Sequence, residues 1–284
     1  MTFADVLIQQ VVNGLALGMM YALLALGFTM VYGIIELINF AHFSVFMAGT
    51  FMGLFVLRLL GFTGESRGIY GLPLVGTLLF VFGAVMIGTG LLGVAFIIIN
   101  VVQLSWGPQT KPFPRIVPDR RWAIGHAEVS LSQILLFVCG LILMLALNYL
   151  VKRTALGKAM RATAQDMDAA KMMGVDIDRV IVLTFFLGSA LAGAGSLFFG
   201  LYYGFTSFYI GYQTGLRAFT SAVLGGIGNI PGAVVGGLII GLIQVLGGQL
   251  LEVKWTDVII FSILITVMVF RPTGLFGILT PQKA

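Results

Sequence analysis

The chain reads as all-α: a polytopic integral membrane protein of about seven to nine transmembrane helices, some of them broken or re-entrant. Three observations predict this. Hydrophobic residues make up 59% of the chain and charged ones only 10%, more apolar surface than a soluble domain of 284 residues needs. Apolar runs of roughly 20 residues or more, enough to cross a bilayer, recur between short polar stretches. The 38 glycines are spread through those runs, as suits helices that pack closely in lipid. The net charge of +5 fits Lys and Arg flanking a membrane, and no basic patch points to nucleic acid. The one cysteine, Cys139, lies in an apolar run and has no intrachain disulfide partner.

The first apolar run, 6–35, follows a single charge, Asp5, and has no basic segment before it. It is therefore expected to be a retained span and not a cleaved signal. Gly14-x-x-x-Gly18 within it suits close approach of another helix. A polar insertion follows, Glu36, Asn39 and His42, ahead of a second span over 41–60. Polar groups beside glycine breaks inside a membrane mark either interhelical hydrogen bonding or a broken helix on a translocation path.

The run 73–103 is 31 residues long, about 46 Å as a helix. That is long for one crossing and short for two. The polar stretch 104–130 is expected to be a loop with interfacial Trp106 and Trp122. Clear spans follow at 131–151 and 180–203. Tyr202, Tyr203, Phe205, Phe208, Tyr209 and Tyr212 read as an interfacial aromatic belt. In 216–251 the cluster Gly225-Gly226-Ile-Gly228-Asn229-Ile-Pro231 breaks the helix at membrane depth. Backbone is broken there only where protein buries it or a cavity is lined, so Gly225, Gly226, Gly228 and Asn229 are candidate pathway residues, paired with Glu36, Asn39 and His42. The equally open reading is a tight turn between two short helices. No Lys-Ser or Lys-Thr follows these glycines, so they are not a phosphate loop. Gly232-x-x-x-Gly236 and Gly237-x-x-x-Gly241 continue as a close-packing helix, and the last span ends at Phe270.

The stretch 154–179 is the most polar segment between two apolar spans. Counted from Lys152, it holds six basic and four acidic residues. At helical spacing Lys158, Arg161, Gln165, Asp168 and Lys171 form a polar stripe. Met160, Ala164, Met167, Ala170 and Met173 fall on the opposite side, a face of small and flexible residues suited to docking into a partner. Gly174 is expected to end this helix in a left-handed turn, and Asp176 to cap the next. A solvated surface loop is the plainer alternative.

Asp168-Ala169-Ala170, three residues, then Gly174 resembles the E-A-A-x-x-x-G coupling-loop signature of ABC importer permeases, with Asp in place of Glu. Val12-Asn13-Gly14-Leu15, Tyr21 to Gly27, Ile38 to His42, the Gly225–Gly232 cluster and the closing Arg271-Pro-Thr-Gly-Leu-Phe-Gly277 together resemble the permease subunits of branched-chain amino-acid ABC importers of the high-affinity type. The family usually has Gly after His42, often followed by an acid; Phe43 and Ser44 stand there. It also usually has two crossings joined by a basic stretch within 73–103, and roughly two dozen residues near position 95 have no counterpart in this chain.

This resemblance implies a single permease domain over 1–284, with a cytoplasmic coupling loop at 152–179 and a periplasmic loop at 104–130. The loop charges do not orient the chain: 104–130 and 152–179 each carry a net +2. It implies a multi-pass protein of the bacterial inner membrane that moves branched-chain or related small amino acids or amides by alternating access. Arg161, Asp168, Ala169, Ala170, Met173 and Gly174 would couple to the ATPase. The implied partners are two ATPase subunits, a second permease (a copy or a different subunit), a periplasmic solute-binding protein and membrane lipid. The chain is then not an enzyme and carries no cofactor or metal; ATP and Mg would be bound by the partner subunits. Consistently, it has only two histidines, no metal-ligand cluster, no nucleophile elbow and no Walker A sequence. The alternatives are an ion-coupled secondary transporter or channel, for which Glu36 is the candidate acid, or a permease of the same superfamily for urea, amides or sugars.

Overall fold

The computed structural model of the chain describes residues 3–35, 41–62, 72–90, 102–107, 109–114, 116–124 and 127–277. Helix α1 (Phe3–Ile35) is followed by α2 (Ala41–Leu59), α3 (Leu72–Gly90), α4 (Leu131–Arg153), α5 (Ala155–Gln165), α6 (Met167–Met172), α7 (Ile177–Tyr203), α8 (Ile210–Gly225), α9 (Ile230–Leu251) and α10 (Thr256–Phe270). Among the described residues six helices are long and apolar enough to cross a membrane, and Pro73–Ile87 is a shorter apolar helix. The fold is all-α and polytopic. Of the run 73–103, α3 ends at Gly90 and 91–101 lie outside the described residues.

The bundle is arranged around α1. A helix that is apolar on every side is buried on every side, and the residues from Ala16 to Leu26 are almost wholly enclosed. The glycine motifs in α1 and α9 pack on each other. A Cβ on Gly18 would lie 2.7 Å from the Leu238 Cα, and one on Gly237 2.6 Å from the Ala22 Cα. Without an oil–water driving force inside lipid, such backbone contact supplies the dispersion that holds helices together. The neighbouring face of α9 serves α8 in the same way: a Cβ on Gly236 would lie 2.8 Å from the Gly225 amide nitrogen. Helix α7 lays Gly188 and Gly195 against Val31 and Leu24 of α1, and Gly193 against Gly49 of α2.

Helices α4 and α10 stand at the outside and expose apolar side chains such as Phe137, Ile142, Leu145, Ile265 and Val269, a surface matched to lipid. Helix α4 begins with a full capping box. The Ser130 hydroxyl accepts from the Gln133 amide, and the Gln133 side chain accepts from the Ser130 amide at 2.8 Å. Ser130→Ala is expected to cost about 1 kcal/mol, seen as a lower thermal midpoint in detergent with the helical content unchanged.

The stretch 104–130, expected to be a loop, carries short strands. Strand β1 (Lys111–Pro112) pairs antiparallel with β4 (Phe205–Thr206), and β2 (Arg121–Ile124) with β3 (Ala127–Ser130). Phe113, Ile116 and Val117 are buried against Leu54, Leu57 and Leu197. Their apolar area, hidden at the bundle's end, is what orders this polar stretch. The aromatic belt is likewise only partly exposed: Tyr209 and Tyr212 are open, whereas Tyr202 packs against the core.

The single helix expected between Lys158 and Met173 is two. Asp166 breaks it because its side chain accepts from the Ala169 amide at 3.0 Å and so caps α6. Gly174 has φ of 83°, the left-handed turn that ends α6, and the Val175 amide returns to the Ala170 carbonyl at 3.0 Å. Asp176 caps α7 through the Arg179 amide.

Candidate functional site

Two ends of the bundle and one charged cluster between them carry the chemistry. At the first end lies the polar loop. Its break at Asp166 redistributes the faces read from helical spacing. Met160 is 0% exposed and Ala170 4%; both pack into their own chain. Met172 and Met173 are 88% and 84% exposed and project at the tip. Asp168, Ala169 and Gly174 are exposed beside them. Arg161 turns back and donates from Nη1 to the carbonyl of Val151, at the end of α4, where a cation meets the negative end of the helix dipole. Met172 was missed in the sequence because a continuous helix would place it off the methionine face.

At the same end, Gly228 touches Gly33 of α1, with 3.1 Å between the Gly228 Cα and a Cβ built on Gly33. Gly225 and Gly226 are buried under the segment 271–277. The Leu275 amide bonds the Leu224 carbonyl at 2.8 Å and the Phe276 amide bonds the Gly225 carbonyl at 3.2 Å. Gly226 has φ of 101°, open only to glycine in this setting. Asn229 caps α9 through the Gly232 amide and donates to the Phe276 carbonyl at 2.8 Å. The Gly-rich break is therefore joined to the closing Arg271–Gly277 motif. His42 is 3% exposed; it stacks edge-on against Phe28 at 4.6 Å and fills the space opposite Gly27. Glu36 and Asn39 lie outside the described residues.

At the opposite end is a cavity of about 540 Å³. Gln9, Asn13, Arg121, Glu128, Gln133 and Tyr203 contribute to its wall. Gln9 and Glu128 exchange hydrogen bonds, side chain to backbone, at 2.9 and 2.6 Å. Gln133 donates to Asn13 at 2.7 Å. Arg121 lies between Asp119 and Glu128, at 3.0 and 3.1 Å; these bonds, with Asp119 the larger influence, push the guanidinium further above its ordinary value.

Between the ends is a cluster that the sequence reading passed over. Arg217 of α8 donates to Asp257 of α10 from Nε at 2.9 Å and Nη2 at 2.7 Å, and to the Tyr21 hydroxyl of α1 from Nη1 at 3.2 Å. Tyr21 in turn donates to Gln244 of α9. The signal in the sequence was a lone cation between Leu216 and Ala218 in an apolar helix.

Among the described residues no group of His, Cys, Asp or Glu could hold a metal ion. What the arrangement offers is hydrogen-bonding groups inside a lipid-sized helical bundle, and a capped polar loop projecting from one end. These define a multi-pass helical membrane protein with polar groups in its interior. The family model described as "Branched-chain amino acid transport system / permease component" matches residues 10–268, and the chain belongs to that family. It is 35% identical over 299 aligned residues to the high-affinity branched-chain amino acid transport system permease protein LivH of Escherichia coli K12, covering 95% of each chain. It is 36% identical over 300 aligned residues to the corresponding protein BraD of Pseudomonas aeruginosa, again with 95% of each covered. The probable branched-chain permease LivH of Methanocaldococcus jannaschii is 26% identical over 90% of this chain and 88% of its own. The alignment to LivH is longer than the 284 residues of this chain, so that relative carries residues that this chain lacks. No solved structure matches the chain significantly.

Proposed function

We propose that this chain is the transmembrane permease subunit of an ATP-driven importer that carries branched-chain amino acids, or closely related small amino acids, across the bacterial inner membrane. The observation that carries the reading is the loop 152–179. Asp166, Asp176 and Gly174 cap and turn it into a rigid projection, and Met172 and Met173 stand uncovered at its tip. An exposed pair of flexible thioethers on a firmly anchored short helix is a docking feature, since it costs free energy to leave it in water.

On this reading Asp168, Ala169, Met173 and Gly174 face an ATPase subunit, while Ala170 and Arg161 hold the loop to the bundle. ATP and Mg stay in the two partner ATPases. A second permease, a copy or a related chain, completes the pathway. The end bearing the outer cavity and the 104–130 ribbons is periplasmic and receives a solute-binding protein. Closure of the ATPases moves α5 and α6, which push through Arg161 and Val151 on α4 and through Gly174 on α7. His42 and the turn formed by Gly225, Gly226, Gly228 and Asn229 are the proposed gate.

The test is co-purification of the ATPase subunits from native membranes. Wild type should retain them. Asp168→Arg, which inverts a charge beside the methionines, and Gly174→Leu, which forces a side chain into a left-handed turn at about 1–2 kcal/mol, should each lose at least ten-fold of the bound ATPase. Retention by both variants at the wild-type level would sink the coupling-loop assignment. Uptake driven by an ion gradient with no ATPase bound would favour a secondary transporter.

A further inference from the structure

We propose that Arg217 is an intramembrane binding group for the α-carboxylate of the transported solute, held ready by Asp257 and Tyr21. This rests on the amino-acid import reading above. The depth of the group is the first reason. The Gln10–Gln249 hydrogen bond ties α1 to α9 near the outer end. Tyr21 lies eleven residues further along α1, about 16 Å of helix, while Asp257 stands in the first turn of α10, so the group lies within the apolar bundle on its outer side. A cation at that depth is costly, and such residues face a partner or a wet path.

The second reason is the unfinished coordination. Asp257 receives both of its bonds from Arg217 on a single oxygen, Oδ1, from Nε and Nη2. Nη1 bonds Tyr21. A guanidinium has five N–H groups, so Nη1 and Nη2 each keep one without an acceptor among the described residues. Two N–H groups left over on one cationic head can receive the oxygens of an anionic group. A pair serving only to tie α8 to α10 would be expected to use the two-oxygen fork, and well-packed apolar residues would serve as well.

The third reason is that polar groups line the outer cavity on the same side of the bundle. Gln133 bonds Asn13 in the cavity wall, and Tyr202 lines the same cavity. Tyr203, next along α7, lines the cavity as well. The Arg217 side chain is 19% exposed and that of Asp257 49%, so the pair is not sealed inside the core.

The experiment uses the complete transporter, this chain with its partner subunits, in proteoliposomes supplied with leucine-loaded binding protein. Labelled leucine uptake and ATP hydrolysis are read together. Arg217→Gln should lower uptake at least twenty-fold while hydrolysis stays within two-fold. Arg217→Lys keeps the charge without the fork and should raise KM for uptake several-fold. The exchange Arg217→Asp with Asp257→Arg should restore the yield of assembled complex but not uptake. The proposal is overturned if the exchange restores uptake together with yield, which would make the pair a tether. It is also overturned if Arg217→Gln or Arg217→Lys transports as wild type does. If Arg217→Gln does not assemble, Arg217→Lys carries the decision: an unchanged KM overturns the proposal. Wild type that moves no amino acid at all would instead fell the import reading, and this proposal with it.

Discussion

Gly241→Leu is expected to leave no folded, monodisperse protein in detergent extracts. In the native packing the place of its Cβ is already occupied by the backbone of Gly18, and the Gly14 carbonyl stands beside it. Those neighbours are main chain within a helix, so they cannot rotate away as a side chain would. The only relief is to separate α1 from α9, and that unseats Leu238 and Ala22, each about one turn further along. Overpacking a core costs about 1–3 kcal/mol when side chains can yield; here the cost exceeds that range because they cannot. Gly247→Ala supplies the control. The nearest atom to a Cβ there is the Ile259 Cδ1 at 3.4 Å, an ordinary contact, and alanine favours a helix by up to about 1 kcal/mol. Size-exclusion profile and thermal midpoint check both variants. Gly241→Leu recovered at wild-type yield and midpoint would show that the α1–α9 contact is not what holds the bundle.

Gly157→Leu is expected to separate folding from work. Gly157 sits where α5 folds back on the end of α4, and a Cβ there would collide with the Leu150 and Val151 carbonyls and lie 2.6 Å from the Val151 carbon. The same carbonyl of Val151 accepts from Arg161. Displacing α5 breaks that bond and tilts the whole projection, while the apolar spans keep their own contacts. The expected result is a purified complex with wild-type helical content and at least ten-fold slower ATP-driven uptake. Lys158→Ala, an exposed neighbour, should remain within two-fold of wild type. Uptake by Gly157→Leu within two-fold of wild type would mean that the α4–α5 joint transmits nothing.

Much of the architecture was legible because membrane helices announce themselves by length and apolarity, and local chemistry marks their ends. Asp176 before Val180, Gly174 after Met173 and the break at Gly225–Asn229 all follow from short-range preferences, and each stands where the pattern put it. Asp166 misled the reading because its capping bond competes with helix continuation, and spacing alone cannot rank the two. The ordering of 104–130 was hidden for another reason. Phe113, Ile116 and Val117 are scattered among prolines and charges, and only their burial against α2 and α7 makes them core residues.

From residue types and their spacing alone came the membrane class, the position of the spans, the polar loop with its turn and caps, and the lack of a Walker A or nucleophile motif. These depend on interactions reaching only a few residues along the chain. Which glycine motif meets which, that Met160 faces inward while Met172 faces out, that the Gly-rich turn is roofed by 271–277, and that Arg217 finds Asp257 and Tyr21 were decided only when distant helices came together. Such pairings link residues as far apart as 14 and 242. Their energy comes from shape and charge complementarity across helices, which no local pattern encodes.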